Sequence, residues 1–107
     1  MKNAALEYFQ AFCRKDIAAL RDKFAPSVTL TDWEIKASGI EAVLDANAAI
    51  FRAVDSIAAL PVNVYVAGNT VIAELEITIN ATECIKVVDV LEFTEAGKIS
   101  AIRAYKG

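Results

Sequence analysis

Apolar positions along this chain recur first with a helical period and later with a period of two. Over residues 3–14, Leu6, Phe9, Phe12 and Cys13 share one stripe, which predicts a helix. Asp16 has the chemistry of an N-cap for a second short helix through about Phe24, with Ile17, Leu20 and Phe24 turned inward and Pro26 as its stop. Val28 to Asp32 alternates and predicts a strand. Ser38 and Glu41 have capping-box spacing and open a third helix through about Val54. Its apolar face collects Ile40, Val43, Leu44, Phe51 and Val54, and Asn47 falls on that same face.

Beyond Pro61, read as a break, four strands follow closely. They are Val62 to Ala67, Thr70 to Asn80, Cys84 to Phe93 and Lys98 to Lys106. The connections are the two-residue signal Gly68-Asn69, a turn near Ala81, and the three-residue hairpin Glu95-Ala96-Gly97. Helix, helix, strand, helix and then hairpins predict an α+β fold. A curved antiparallel sheet would wrap around three helices as a cone, a cystatin-like α+β roll, with residues 1–107 forming one domain. Such a fold leaves a pocket between helices and concave sheet.

One residue breaks the alternation. In the strand through Phe93, Ile85, Val87, Leu91 and Phe93 share a face, and Asp89 stands among them. A buried carboxylate without a partner is costly, so the group neutralises. A neutral acid in an apolar site donates a hydrogen bond, which is a catalytic tool. The alternative is a structural Asp tied to an amide. Asp32 continues the face of Val28 and Leu30, and it reads either as a base or as a strand-end Asp bonding a loop amide. Tyr8 lies one turn before Phe12 and can point at the core, as a donor or as an amphipathic core residue.

Composition narrows the chemistry. The formal net charge is −3 with no basic cluster, which gives nucleic acid no footprint. No apolar run spans a bilayer and no signal-peptide pattern starts the chain, so a reduced, cytoplasmic protein is expected. Cys13 and Cys84 lack metal spacing and are read as buried or half-buried thiols. Histidine is absent, which removes His-based triads and almost every catalytic zinc site. Acid–base work would fall to Asp, Glu, Tyr or Lys, with no metal and no cofactor in the reading.

Two stretches carry a family resemblance. Tyr8-Phe9-Gln10-Ala11-Phe12, followed by Asp16, Phe24 and Asp32, and the run Asp89-Val90-Leu91-Glu92-Phe93-Thr94-Glu95-Ala96-Gly97-Lys98-Ile99 resemble the nuclear transport factor 2-like superfamily, and within it the ketosteroid isomerases. That resemblance implies Asp32 as base, with Tyr8 and a protonated Asp89 as oxyanion donors. The pocket would be lined by Phe12, Leu30, Trp33, Asn47, Phe51, Val87, Leu91 and Phe93. The implied activity is proton transfer on a small apolar carbonyl compound, by an isomerase or lyase. The other reading is a non-catalytic ligand-binding or dimerisation module. A homodimer is expected through the sheet face bearing Val88 and Val90.

The chain departs from the isomerases at two points: Asn47 stands where they often carry a further Tyr, and Trp33 where many relatives have Pro. Limonene epoxide hydrolase-like chemistry would need an Arg on the central strand, which offers Glu74 and Glu76 instead. It would also need a last-strand acid where Ala104 stands. Scytalone dehydratase-like chemistry would need His.

Overall fold

A computed structural model describes residues 1–107. Its elements run α1 (Lys2–Cys13), α2 (Ile17–Lys23), β1 (Phe24–Thr31), β2 (Lys36–Ser38), α3 (Ile40–Ala53), β3 (Ile57–Ala67), β4 (Thr70–Ile79), β5 (Glu83–Phe93) and β6 (Ile99–Lys106). The six strands form one sheet in the order β2-β1-β6-β5-β4-β3. The sheet is mixed rather than antiparallel, because β1 runs parallel to β6. The three helices cover its concave face. Val28 and Leu30 of β1, Val71, Ala73 and Leu75 of β4, Leu91 and Phe93 of β5, and Ile102 of β6 turn inward and build the core with them.

Local chemistry explains three of the helix ends. Asp16 Oδ1 accepts from the Ala19 amide at 3.0 Å, as an N-cap should. Ser38 does not cap α3. It pairs with Thr29 in β2, and the N-cap is Gly39, at φ 90° and without a side-chain bond. The Gly39 amide donates to Val28 at 2.8 Å, so Ser38 stays in the sheet until a glycine can make the turn. At the other end of α3, Lys15 Nζ donates to the carbonyls of Phe51, Val54 and Asp55 at 2.6–3.0 Å. An ammonium there satisfies carbonyls that lack helical partners and opposes the negative end of the dipole.

Both prolines behave differently from their sequence reading. Pro26 lies inside β1, which already begins at Phe24. Pro61 lies inside β3, and the register with β4 slips between Pro61 and Asn63. β3 is an edge strand, where a residue lacking an N–H and a bulge are both tolerated. The strand β2 was not anticipated. Cys13 is half-buried, its Sγ accepting from the Ala59 amide at 3.1 Å, but Cys84 is exposed. Period two explains the exposure: Cys84 shares the convex face with Lys86 and Glu92.

Candidate functional site

Between the helices and the open half of the sheet lies a cavity of about 310 Å³. That is at the small end of ligand sites, which start near 300 Å³. Tyr8, Asp32 and Asp89 all line it, as do Phe12, Leu30, Trp33, Asn47 and Val87. Three residues expected in its wall are elsewhere. Phe51 packs edge-on against Phe12, with ring centroids 5.1 Å apart. Leu91 pairs across the sheet with Val71 and Ile102, and Phe93 with Ile99, deep in the closed core. They share the face of Asp89 but lie too far toward the packed end.

Asp89 is 8% exposed. Its cross-strand neighbours are Ala73 on β4 and Ala104 on β6. Two methyl groups leave room around the carboxyl and offer it no hydrogen bond. No protein group bonds it, so its oxygens face the cavity. Burial, and secondarily the charge of Asp32, push its pKa up to about 7. Below that pH it is a neutral donor.

Tyr8 is 4% exposed and held by aromatic packing: Phe9, Phe24 and Phe12 lie 5.4, 6.0 and 6.4 Å away, centroid to centroid. Its hydroxyl has no protein partner either. Burial, and then the nearby charge of Asp89, raise its pKa above the ordinary phenol value. The phenol thus keeps its proton where Asp89 is close enough to feel it.

Asp32 stands just past β1. Its Oδ1 accepts from the amides of Glu34 at 2.8 Å and Ile35 at 2.6 Å, an Asx-type turn. The loop-amide alternative is therefore realised for one oxygen. The second oxygen has no protein donor, and the turn fixes the carboxylate's direction. Trp33, 45% exposed, forms part of the rim, with Lys106 Nζ 5.9 Å from its ring centroid.

Lys106 and Glu83 also line the cavity and were missed from sequence. The signal was present. Lys106 continues the inward parity of Ile102 and Ala104, and Glu83 that of Ile85 and Val87. Asn47 is 1% exposed, and its Oδ1 is sealed from solvent without a partner. An orphan of this kind costs about 1–3 kcal/mol.

Comparison with known proteins identifies the family and the fold. Residues 5–102 match the SnoaL-like domain, and the chain belongs to that family, within the nuclear transport factor 2-like superfamily. No curated protein matches the chain. Among solved structures, a proposed polyketide cyclase from Sinorhizobium meliloti superposes with a TM-score of 0.86 at 20% identity, covering 95% of this chain and 93% of that one. A protein of ketosteroid isomerase-like fold from Catenulispora acidiphila, solved with trimethylamine, gives 0.85 at 17% identity, over 95% and 83%. An epoxide hydrolase of the limonene epoxide hydrolase type from M. tuberculosis gives 0.85 at 14%, over 98% and 80%. At these identities the structural likeness establishes the fold.

Proposed function

We propose that this SnoaL-like protein is a proton-transfer isomerase or lyase acting on a small, largely apolar carbonyl compound, without metal or cofactor. One observation carries the reading: two buried, protein-unpartnered donors, Tyr8 and Asp89, open on the same apolar cavity as the oriented carboxylate of Asp32. In this reading the substrate carbonyl oxygen accepts from the Tyr8 hydroxyl and the protonated Asp89 carboxyl. The free oxygen of Asp32 removes a proton from the adjacent carbon. The electron pair of that C–H bond becomes the enolate C=C bond, and negative charge develops on the oxygen between the two donors. Donors placed before the reaction stabilise that charge without reorganising. Returning the proton to a different carbon completes an isomerisation, and expelling a leaving group completes a lyase step.

Polyketide cyclisation, the name given to the Sinorhizobium neighbour, also passes through enolate carbon and would use the same groups. Epoxide hydrolysis of the limonene type fits less well, since no Arg lines the cavity and Ala104 does. The test is conversion of a β,γ-unsaturated ketone to its conjugated isomer, followed by ultraviolet absorbance. Asp32→Ala should abolish turnover yet leave binding of an enolate-like phenol largely intact. Tyr8→Phe should weaken both, with a rate loss on the order of 10²–10³.

A second reading has its own support. Both amide bonds of the Asp32 turn fall on one oxygen, which suits a structural acid in a non-catalytic ligand-binding module. Wild-type protein that binds the phenol but never turns over the ketone would favour it. The proposal extends to assembly as a homodimer. Leu60, Tyr65 and Tyr105 are exposed on the convex face, where they pair with Glu76, Ile72 and Val88. A monomer by light scattering at roughly tens of micromolar, an affinity floor near the micromolar scale, would overturn that extension.

A further inference from the structure

Asn47 has no use in the mechanism above. It lies on the apolar stripe of α3 with Val43, Leu44 and Phe51, all buried. An aliphatic residue there would serve the core and favour the helix more. Its amide meets no backbone carbonyl, no Tyr8 hydroxyl and no Asp89 carboxyl, so it does not brace the oxyanion donors. Its Oδ1 is the one buried side-chain polar atom in the chain without a partner, and the residue lines the cavity. No protein group of the cavity lining hydrogen-bonds it. Oδ1 is closed to solvent as it stands, so a molecule filling the cavity meets the amide through its Nδ2 edge, or through Oδ1 after a half-turn of the amide.

We propose that Asn47 is a specificity-determining residue: the ligand of this pocket carries, besides the carbonyl held by Tyr8 and Asp89, a second oxygen function that bonds the Asn47 amide. The proposal rests on the enolisation reading for the carbonyl end. A primary amide offers two donors and an acceptor, and half a turn about its last bond exchanges which edge faces the ligand. It therefore suits a hydroxyl, which donates and accepts, and also takes a second carbonyl. The substrate class is then a bifunctional oxygenated compound, a hydroxyketone or dicarbonyl, rather than a ketone on an unadorned hydrocarbon. Discrimination follows from the same physics. A site built around a polar group rejects an analogue lacking it, because the protein's own group is then left buried and unpaired.

The test compares β-naphthol with dihydroxynaphthalenes that keep its hydroxyl and place a second one at different ring positions. Binding is measured by calorimetry on wild type, Asn47→Leu and Asn47→Ala. One hydroxyl stands in for the enolate oxygen and the second probes Asn47. In wild type, at least one diol should bind about tenfold tighter than the naphthol, the equivalent of about 1.4 kcal/mol. In both variants that ratio should fall to about one. The alanine variant keeps the pocket open, so the loss cannot be laid to blockage by leucine. Asn47→Leu should also unfold at a higher temperature, since it removes an orphan polar group.

If no diol outbinds the naphthol, or the preference survives both substitutions, the inference is overturned while the carbonyl site stands. If the naphthol itself does not bind wild type, both readings fall. If the preference appears and vanishes with Asn47 but the ketone assay shows no turnover, the inference holds for the ligand and the catalytic reading fails.

Discussion

The two ends of strand β5 are alike in pattern and opposite in use. Toward Phe93, the inward residues Leu91 and Phe93 are sealed in the core by Val71, Ile99 and Ile102. Toward Glu83, the inward residues Ile85, Val87 and Asp89 face open volume. The alternation is the same throughout, and so is the face. What differs is whether side chains from the opposite wall reach across. The comparison teaches that period two reports which side of a sheet a residue is on, and says nothing about how far along the cone it lies.

Truncation should separate the two ends most sharply. Leu91→Ala is expected to cost about 2–5 kcal/mol, because it leaves a void in a fully packed region. Ile77→Ala, on the cavity wall and only half-buried, should cost clearly less, since it seals off no new void. Urea unfolding of both variants measures the gap. Equal losses would mean the open end is as tightly packed as the closed one.

The next effect is electrostatic and belongs to Asp89 alone. Its pKa rises on folding from 3.8 to about 7. Between those values the native protein holds a proton that the unfolded chain has released. Stability therefore falls as pH rises through that window, by up to roughly 4 kcal/mol, and is flat above it. Asp89→Asn should lose this dependence and exceed wild type in stability above neutral pH. The readout is the difference in unfolding free energy between the two proteins across a pH series. Where turnover is measurable, kcat/KM should also fall as pH rises past about 7, because the proposed oxyanion donor becomes an anion. A difference independent of pH would contradict the burial of Asp89.

The smallest effect lies at the cavity mouth. Lys106→Met removes a cation from the face of Trp33 at an exposed site, a contribution of about 0.5–1 kcal/mol. The Trp33 emission should shift, with unfolding nearly unchanged. A large stability loss would move Lys106 from the rim into the structural frame.

The same comparison explains what the sequence made legible. The stripe of Ile85, Val87, Leu91 and Phe93 with Asp89 inside it was sufficient to place an acid on the concave face; the stripe of the third helix placed Asn47, and the one-turn spacing to Phe12 placed Tyr8. The conical α+β arrangement followed from element order. Depth along the cone did not, so Phe51, Leu91 and Phe93 were read as cavity wall. Strand β2 has three residues, none of them buried, and carries no periodic signal. The parallel pairing of β1 with β6 is a contact between distant segments that no local pattern records. Pro61 misled because a proline excludes a central strand but not a bulged edge. The orphan state of Asn47 was invisible, since its alternative partners are fixed only in three dimensions.

That parallel pairing also orders events in time. Phe24 lies beside Ile99, and Leu30 beside Ile102, so β1 finds its place only against the last strand of the chain. Closing so long a loop has an entropic cost that the local hairpins β3-β4, β4-β5 and β5-β6 do not carry. The meander can form early, bringing Asp89 with it, while Asp32 rides on a strand that docks late. A chain emerging from the ribosome would position Asp89 before Asp32, and the candidate site would be completed among the last events of folding.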